Sequence, residues 1–85
     1  MKLTIKYFAS IRETLGVAQE IVEVDARQIT IRGLRERLIA RGPCVADVLD
    51  FAKAVRVAVN HEMVGDTFVL LQESEVAFFP PVTGG

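Results

Sequence analysis

The stretch from Thr30 to Gly42 constrains this chain most, because it carries the main helical stripe and everything around it reads as strand. Ile31, Leu34 and Leu38 recur at helical spacing, so Arg32, Arg35, Glu36 and Arg37 are expected largely outward. Thr30 suits the N-cap, and Gly42-Pro43 ends the helix. Gly33 inside it costs about 1 kcal/mol relative to alanine. A shorter helical segment follows, with Val45, Val48, Leu49 and Ala52 at i, i+3, i+4 and i+7.

An amphipathic helix must bury its stripe, and the rest of the chain supplies a sheet. Lys2 to Phe8 alternates, with Leu3, Ile5 and Tyr7 on one face and Lys2, Thr4, Lys6 and Phe8 on the other. Ser10-Ile11-Arg12-Glu13 has the form of a capping box with Ser10 as N-cap, opening a short helix that Gly16 closes. Glu20 to Val24 alternates again. Its connection to the first strand is too short for a parallel crossover, which predicts an antiparallel pair. Val55 to Val59 is a strand, Asn60-His61-Glu62 a turn, and Met63-Val64 a short return strand that Gly65-Asp66 ends. Phe68 to Leu71 fits either an edge strand or one helical turn. Glu75 to Phe79 is the last strand, ended by Pro80-Pro81. The order β-α-β-α-α-β-β-β, with one principal helix, predicts an α+β domain whose mixed sheet is packed on one face by that helix. The domain is expected over 1–81, with 82–85 as a flexible C-terminal Gly-Gly tail.

Ten basic and eleven acidic residues are mixed along the chain, and no basic stripe suggests nucleic acid. The apolar runs fall far short of the ~20 residues of a membrane span. Cys44 is the single cysteine, which suits a reducing compartment. The strand-like start predicts no signal peptide, so the expected location is the cytoplasm.

A self-contained active site would need converging titratable groups, and none is evident. Sequence distance alone leaves a pair between Cys44 and His61 open, but Cys44 is expected as a small packing residue and His61 as a solvated turn residue. Structural zinc takes four ligands of the Cys/His type, and this chain has two such residues, so no metal site is expected. No Gly-Lys-Ser/Thr triplet of a phosphate-binding loop occurs.

The chain's own end offers a different kind of chemistry. Val82-Thr83-Gly84-Gly85 follows the prolyl pair, and two terminal glycines arise by chance in about one chain in 200. Prolines keep the segment extended, and glycines without Cβ can thread a narrow channel. The terminal carboxylate becomes reactive once adenylated, because the mixed anhydride has a good leaving group. Phe8, on the polar face of its strand, gives a second clue. Adjacent Phe78 and Phe79 must point to opposite faces, so one of them leaves the helix-covered side. Two phenylalanines on an uncovered sheet face beside a tail suggest a partner patch.

Tyr7-Phe8-Ala9-Ser10-Ile11-Arg12-Glu13, Val57-Ala58-Val59-Asn60 and the string from Glu75 through Phe78-Phe79-Pro80-Pro81-Val82-Thr83-Gly84-Gly85 resemble the MoaD family, the small sulfur-carrying subunits of molybdopterin synthase. The resemblance covers essentially the whole chain. It implies a β-grasp, ubiquitin-like fold. It implies that an E1-like enzyme uses ATP to adenylate Gly85, which is then converted to a thiocarboxylate, with no cofactor bound by the carrier itself. The tail, with Gly84, Thr83 and Val82 threading, would enter the large subunit and give sulfur to cyclic pyranopterin monophosphate, forming the dithiolene of molybdopterin. The resemblance also implies two small and two large subunits per assembly, with Phe8, Arg12, Met63 and Phe79 in the interface. The chain would then be a non-catalytic, sulfur-donating subunit of a sulfurtransferase. The alternatives are a ubiquitin-like modifier conjugated through Gly85, or a sulfur carrier of another pathway such as thiamine thiazole synthesis.

Overall fold

The computed structural model describes residues 1–81. The elements, in chain order, are β1 (Lys2–Tyr7), α1 (Ala9–Leu15), β2 (Gln19–Glu23), β3 (Ile29–Thr30), α2 (Ile31–Ile39), α3 (Pro43–Leu49), β4 (Arg56–Val59), β5 (Glu62–Val64), β6 (Val69–Leu70) and β7 (Ser74–Phe79). Five strands form a mixed sheet in the order β2-β1-β7-β4-β5, while β3 and β6 pair as a separate two-stranded ladder. In the main sheet β1 and β7 run parallel at the centre, and the other pairs are antiparallel. This is the expected α+β arrangement.

Period-2 alternation places the core where the sequence put it. Leu3, Ile5 and Tyr7 from β1, Val57 and Val59 from β4, and Val76 and Phe78 from β7 are buried with Ile31, Leu34 and Leu38 of α2. Tyr7 stacks on Phe78 at the centre, with ring centroids 6.3 Å apart. Thr30 caps α2 as expected, its hydroxyl accepting the Gly33 amide at 3.0 Å. Two further amides of that first turn, Ile31 and Arg32, donate to the carbonyls of Phe68 and Asp66. Gly33 has a packing reason: a Cβ there would lie 3.2 Å from the Ile29 side chain.

Several sequence expectations need correction. Ser10 does not cap α1, because the helix starts at Ala9 and Phe8 occupies the N-cap position with no side-chain bond. Ala9 has φ +51°, and this single left-handed residue turns strand into helix before Ser10 is reached. Arg35 is not outward; it is 4% exposed. Its guanidinium donates to the Leu49 carbonyl from Nη2 at 2.6 Å and from Nε at 3.2 Å, and to the Asp50 carbonyl at 3.1 Å. It also lies 3.5 Å from the Asp66 carboxylate and over the Phe51 ring. Cys44, expected to be packed, is exposed at the start of α3. That helix ends at Leu49, so Ala52 lies outside it and is exposed. Within Phe68 to Leu71 only Val69–Leu70 is strand, and this β6 pairs the short β3 that periodicity did not reveal.

Candidate functional site: the uncovered sheet face

The alternation that buries one face of the sheet lays out the other. Gln19, Lys6, Ala77, Ala58 and Met63 pair in one continuous row across all five strands. Beside that row, at the end of β7, Phe79 pairs with Arg56 of β4. Phe8 reaches the same end because the ladder continues one residue past β1, its amide donating to the Phe78 carbonyl at 3.1 Å. The Phe8 carbonyl then accepts the amides of Ile11 and Arg12. Phe8 is thus held by the sheet on one side and by α1 on the other.

The two rings meet edge to face, with centroids 6.5 Å apart and planes at 87°. Phe8 remains 44% exposed and Met63 56% exposed. Together with Ala58, His61 and Ala77 they line a shallow apolar depression. The alanines form its floor, since a longer side chain at either position would fill it. The far wall comes from the β4–β5 hairpin, whose turn residues Asn60 and His61 both have positive φ, at 49° and 72°. That geometry suits a two-residue hairpin turn matched to the twist of the strands. Asn60 fixes the turn to β7: its amide donates to the Glu75 carbonyl, and its side-chain oxygen accepts the Glu75 amide at 3.0 Å.

Of the residues expected in a partner interface, Phe8, Met63 and Phe79 are brought together. Arg12 is exposed on α1, its backbone tied to Phe8, but it does not line the depression. Sequence reasoning missed Ala58, Ala77 and His61 as members of the face. Their parity in β4 and β7, and the hairpin turn, are the signals that could have found them. Val82, Thr83, Gly84 and Gly85 lie outside the described residues. The described chain ends at Pro81, two residues past Phe79.

Among the described residues, His61 is the one titratable side chain lining the depression, and no hydrogen bond or ion pair joins it to a second such group. Within the sheet, Lys6 of the same face pairs with Glu75 at 3.2 Å. Among the described residues, the one group with a strongly shifted titration is Tyr7, on the core side. Burial, then its 2.7 Å hydrogen bond to Glu20 and the charge of that carboxylate, push the phenol well above its usual range, while Arg41 pulls the other way. Tyr7 is therefore a neutral structural donor. Among the described residues no cluster of three or more His, Cys, Asp or Glu could hold a metal, and no hydrogen bond joins Cys44 to His61. No helix among them is long and apolar enough to cross a membrane. What remains is an exposed, largely apolar face beside the end of β7.

The ThiS family profile matches residues 5–85. This chain belongs to the ThiS family. Within it, the chain is 37% identical over 83 residues to the molybdopterin synthase sulfur carrier subunit of Escherichia coli, covering 98% of this chain and 99% of that protein. Among solved structures, a Pyrococcus furiosus protein proposed to be molybdopterin converting factor subunit 1 superposes with a TM-score of 0.78 at 27% identity, covering 96% and 99% of the two chains. The small archaeal modifier protein 1 of H. volcanii superposes with a TM-score of 0.77 at 22% identity, covering 95% and 98%. That last likeness concerns the fold alone. This ThiS-family chain therefore has the ubiquitin-like β-grasp architecture, and sequence similarity places it beside a sulfur carrier.

Proposed function

We propose that this ThiS-family protein is the small, sulfur-carrying subunit of molybdopterin synthase. The observation that carries the reading is full-length similarity to a protein of that name, together with an apolar docking face located where the chain leaves β7 toward Gly84-Gly85. In this reading an E1-like enzyme spends ATP to adenylate the Gly85 carboxylate, and the acyl group is captured by sulfur as a thiocarboxylate. The docking face then seats the carrier on a large subunit, with two carriers flanking two large subunits. Val82, Thr83 and Gly84 carry the terminus into the large subunit's active site. The sulfur nucleophile bonds to cyclic pyranopterin monophosphate there, water hydrolyses the resulting acyl–sulfur bond so that sulfur stays on the pterin, and the carrier leaves with a carboxylate for recharging.

The division of labour suits the chemistry. A thiocarboxylate is ionised at neutral pH and needs no base from the carrier, which accords with a largely apolar face whose one titratable member is His61. Specificity then rests on docking, and reactivity on the tail.

Deleting Gly85 tests the proposal. The shortened protein is expected to keep its melting temperature and its affinity for the large subunit within a few-fold, yet support no dithiolene formation in a reconstituted synthase. Turnover by the shortened protein would place the sulfur-bearing group elsewhere. Isolation of the full-length chain joined to lysine amines would favour a modifier instead.

A further inference from the structure

The apolar face is not electrically neutral. Lys6 and Glu75 cancel one another within the sheet. Arg56, exposed and directly across the β4–β7 ladder from Phe79, makes no ion pair or side-chain hydrogen bond among the described residues. By strand parity it shares a face with Ala58 and Phe79. Arg12, the other exposed guanidinium near Phe8, likewise lacks a carboxylate partner among the described residues. Among the described residues, two unpaired guanidiniums thus flank Phe79 and Phe8 in a chain of net charge −1, and the one carboxylate that shares a recess with Arg56, Asp66, is engaged by Arg35.

We propose that Arg56 is a recognition residue of the docking face, engaging a carboxylate that the partner presents beside the recess filled by Phe79. The inference rests on the large-subunit reading above. A guanidinium at the rim of an apolar patch accelerates correctly oriented encounter and penalises partners that present a cation there. It can also grip a carboxylate through two parallel bonds, which lysine does not reproduce. A purely solubilising role for Arg56, keeping the open sheet face from self-association, would be served by a charge of either sign. That difference makes the two roles separable.

The experiment measures association and dissociation rates with the large subunit of the same organism's molybdopterin synthase at several salt concentrations, for wild type, Arg56→Lys, Arg56→Ala and Arg56→Glu. Phe79→Arg serves as the control for the face itself. Arg56→Glu is expected to slow association roughly tenfold at low salt and to flatten its salt dependence. Arg56→Lys should keep the association rate and dissociate several-fold faster. All three variants should remain monomeric. If Arg56→Glu binds with unchanged rates and salt slope while Phe79→Arg fails to bind, Arg56 is not a recognition residue although the face is correctly placed. If Phe79→Arg also binds normally, the docking face is wrong. If the wild type does not bind the large subunit at all, the functional reading fails and this inference falls with it.

Discussion

Replacing Arg35 by methionine tests how the fold is fastened, because this one side chain joins three segments. Its guanidinium serves two carbonyls at the end of α3, Leu49 and Asp50, lies 3.5 Å from the Asp66 carboxylate and stacks on Phe51. The loop it holds, at Asp66 and Phe68, supplies carbonyls to the first turn of α2. Methionine fills similar apolar volume but donates nothing. The Leu49 carbonyl loses a buried donor and the Asp50 carbonyl a partly buried one, at roughly 1–3 kcal/mol for each group left unpaired. The salt bridge adds little, since the Asp66 side chain is 41% exposed. The expected loss is about 3 kcal/mol. In a domain this small, about 4–8 °C of melting temperature goes with each kcal/mol, so the midpoint should fall by roughly 12–24 °C. Thermal and urea unfolding followed by circular dichroism would measure it, with Asp66→Asn as a control expected to cost under about 1 kcal/mol. A loss below about 1 kcal/mol for Arg35→Met would refute the argument, showing that water serves those carbonyls as well as the arginine does.

Phe79→Arg is expected to weaken large-subunit binding by at least about 30-fold, as loss of an aromatic anchor at the centre of an interface does, with an unchanged circular dichroism spectrum. Unaltered affinity in titration calorimetry would remove Phe79 from the interface. Ala9→Gly should stabilise the domain by roughly 1 kcal/mol, because glycine adopts the left-handed backbone at φ +51° without Cβ strain. Ala9→Val should destabilise it, and the reverse order of melting temperatures would contradict the strain. Tyr7 binds its proton more tightly in the folded state than in the unfolded chain, so its contribution is present below about pH 10 and is lost as pH rises beyond that value. Tyr7→Phe should cost about 1 kcal/mol at neutral pH and reduce the alkaline fall in stability, read from urea midpoints between pH 8 and about pH 11.

The strands and the main helix were legible because each buries one side of a periodic pattern. Leu3, Ile5 and Tyr7 declare their face by alternation alone, and Ile31, Leu34 and Leu38 declare theirs. Arg35 was misread although it stands at i+4 from Ile31, inside the apolar stripe. A charged residue there is buried only if carbonyls converge on it, and those come from α3, which local pattern cannot supply. Ser10 was misread because a left-handed Ala9 started the helix early, and nothing in the residue type announces that conformation. The pairing of β3 with β6 was invisible for a related reason. Strands of two residues carry no period, and their register is set by the α2 cap and the 66–68 loop.

The exposed apolar face was half legible. Phe8 and Phe79 betrayed it by parity, since each is a large apolar residue on a side of the sheet that no helix covers. Ala58 and Ala77 gave no such signal, because small residues suit either face. Their role appears only when the β1–β7–β4–β5 register aligns them into a floor. Arg56 likewise acquires meaning only from standing across from Phe79.

The central claim concerns Gly85, and the mass of its own fragment tests it most directly. Exchanging oxygen for sulfur adds about 16 Da, but so does oxidation of methionine or cysteine, so intact mass alone is ambiguous. Cleavage after Glu75 releases Val76–Gly85, which contains neither residue. In protein taken from cells with an active sulfur pathway, that fragment should be about 16 Da heavier than its sequence and should accept a thiol alkylating reagent, whereas oxidised Met1, Cys44 or Met63 cannot contribute. A Val76–Gly85 fragment found only as the unmodified carboxylate, in cells making molybdenum cofactor, would contradict the sulfur-carrier account.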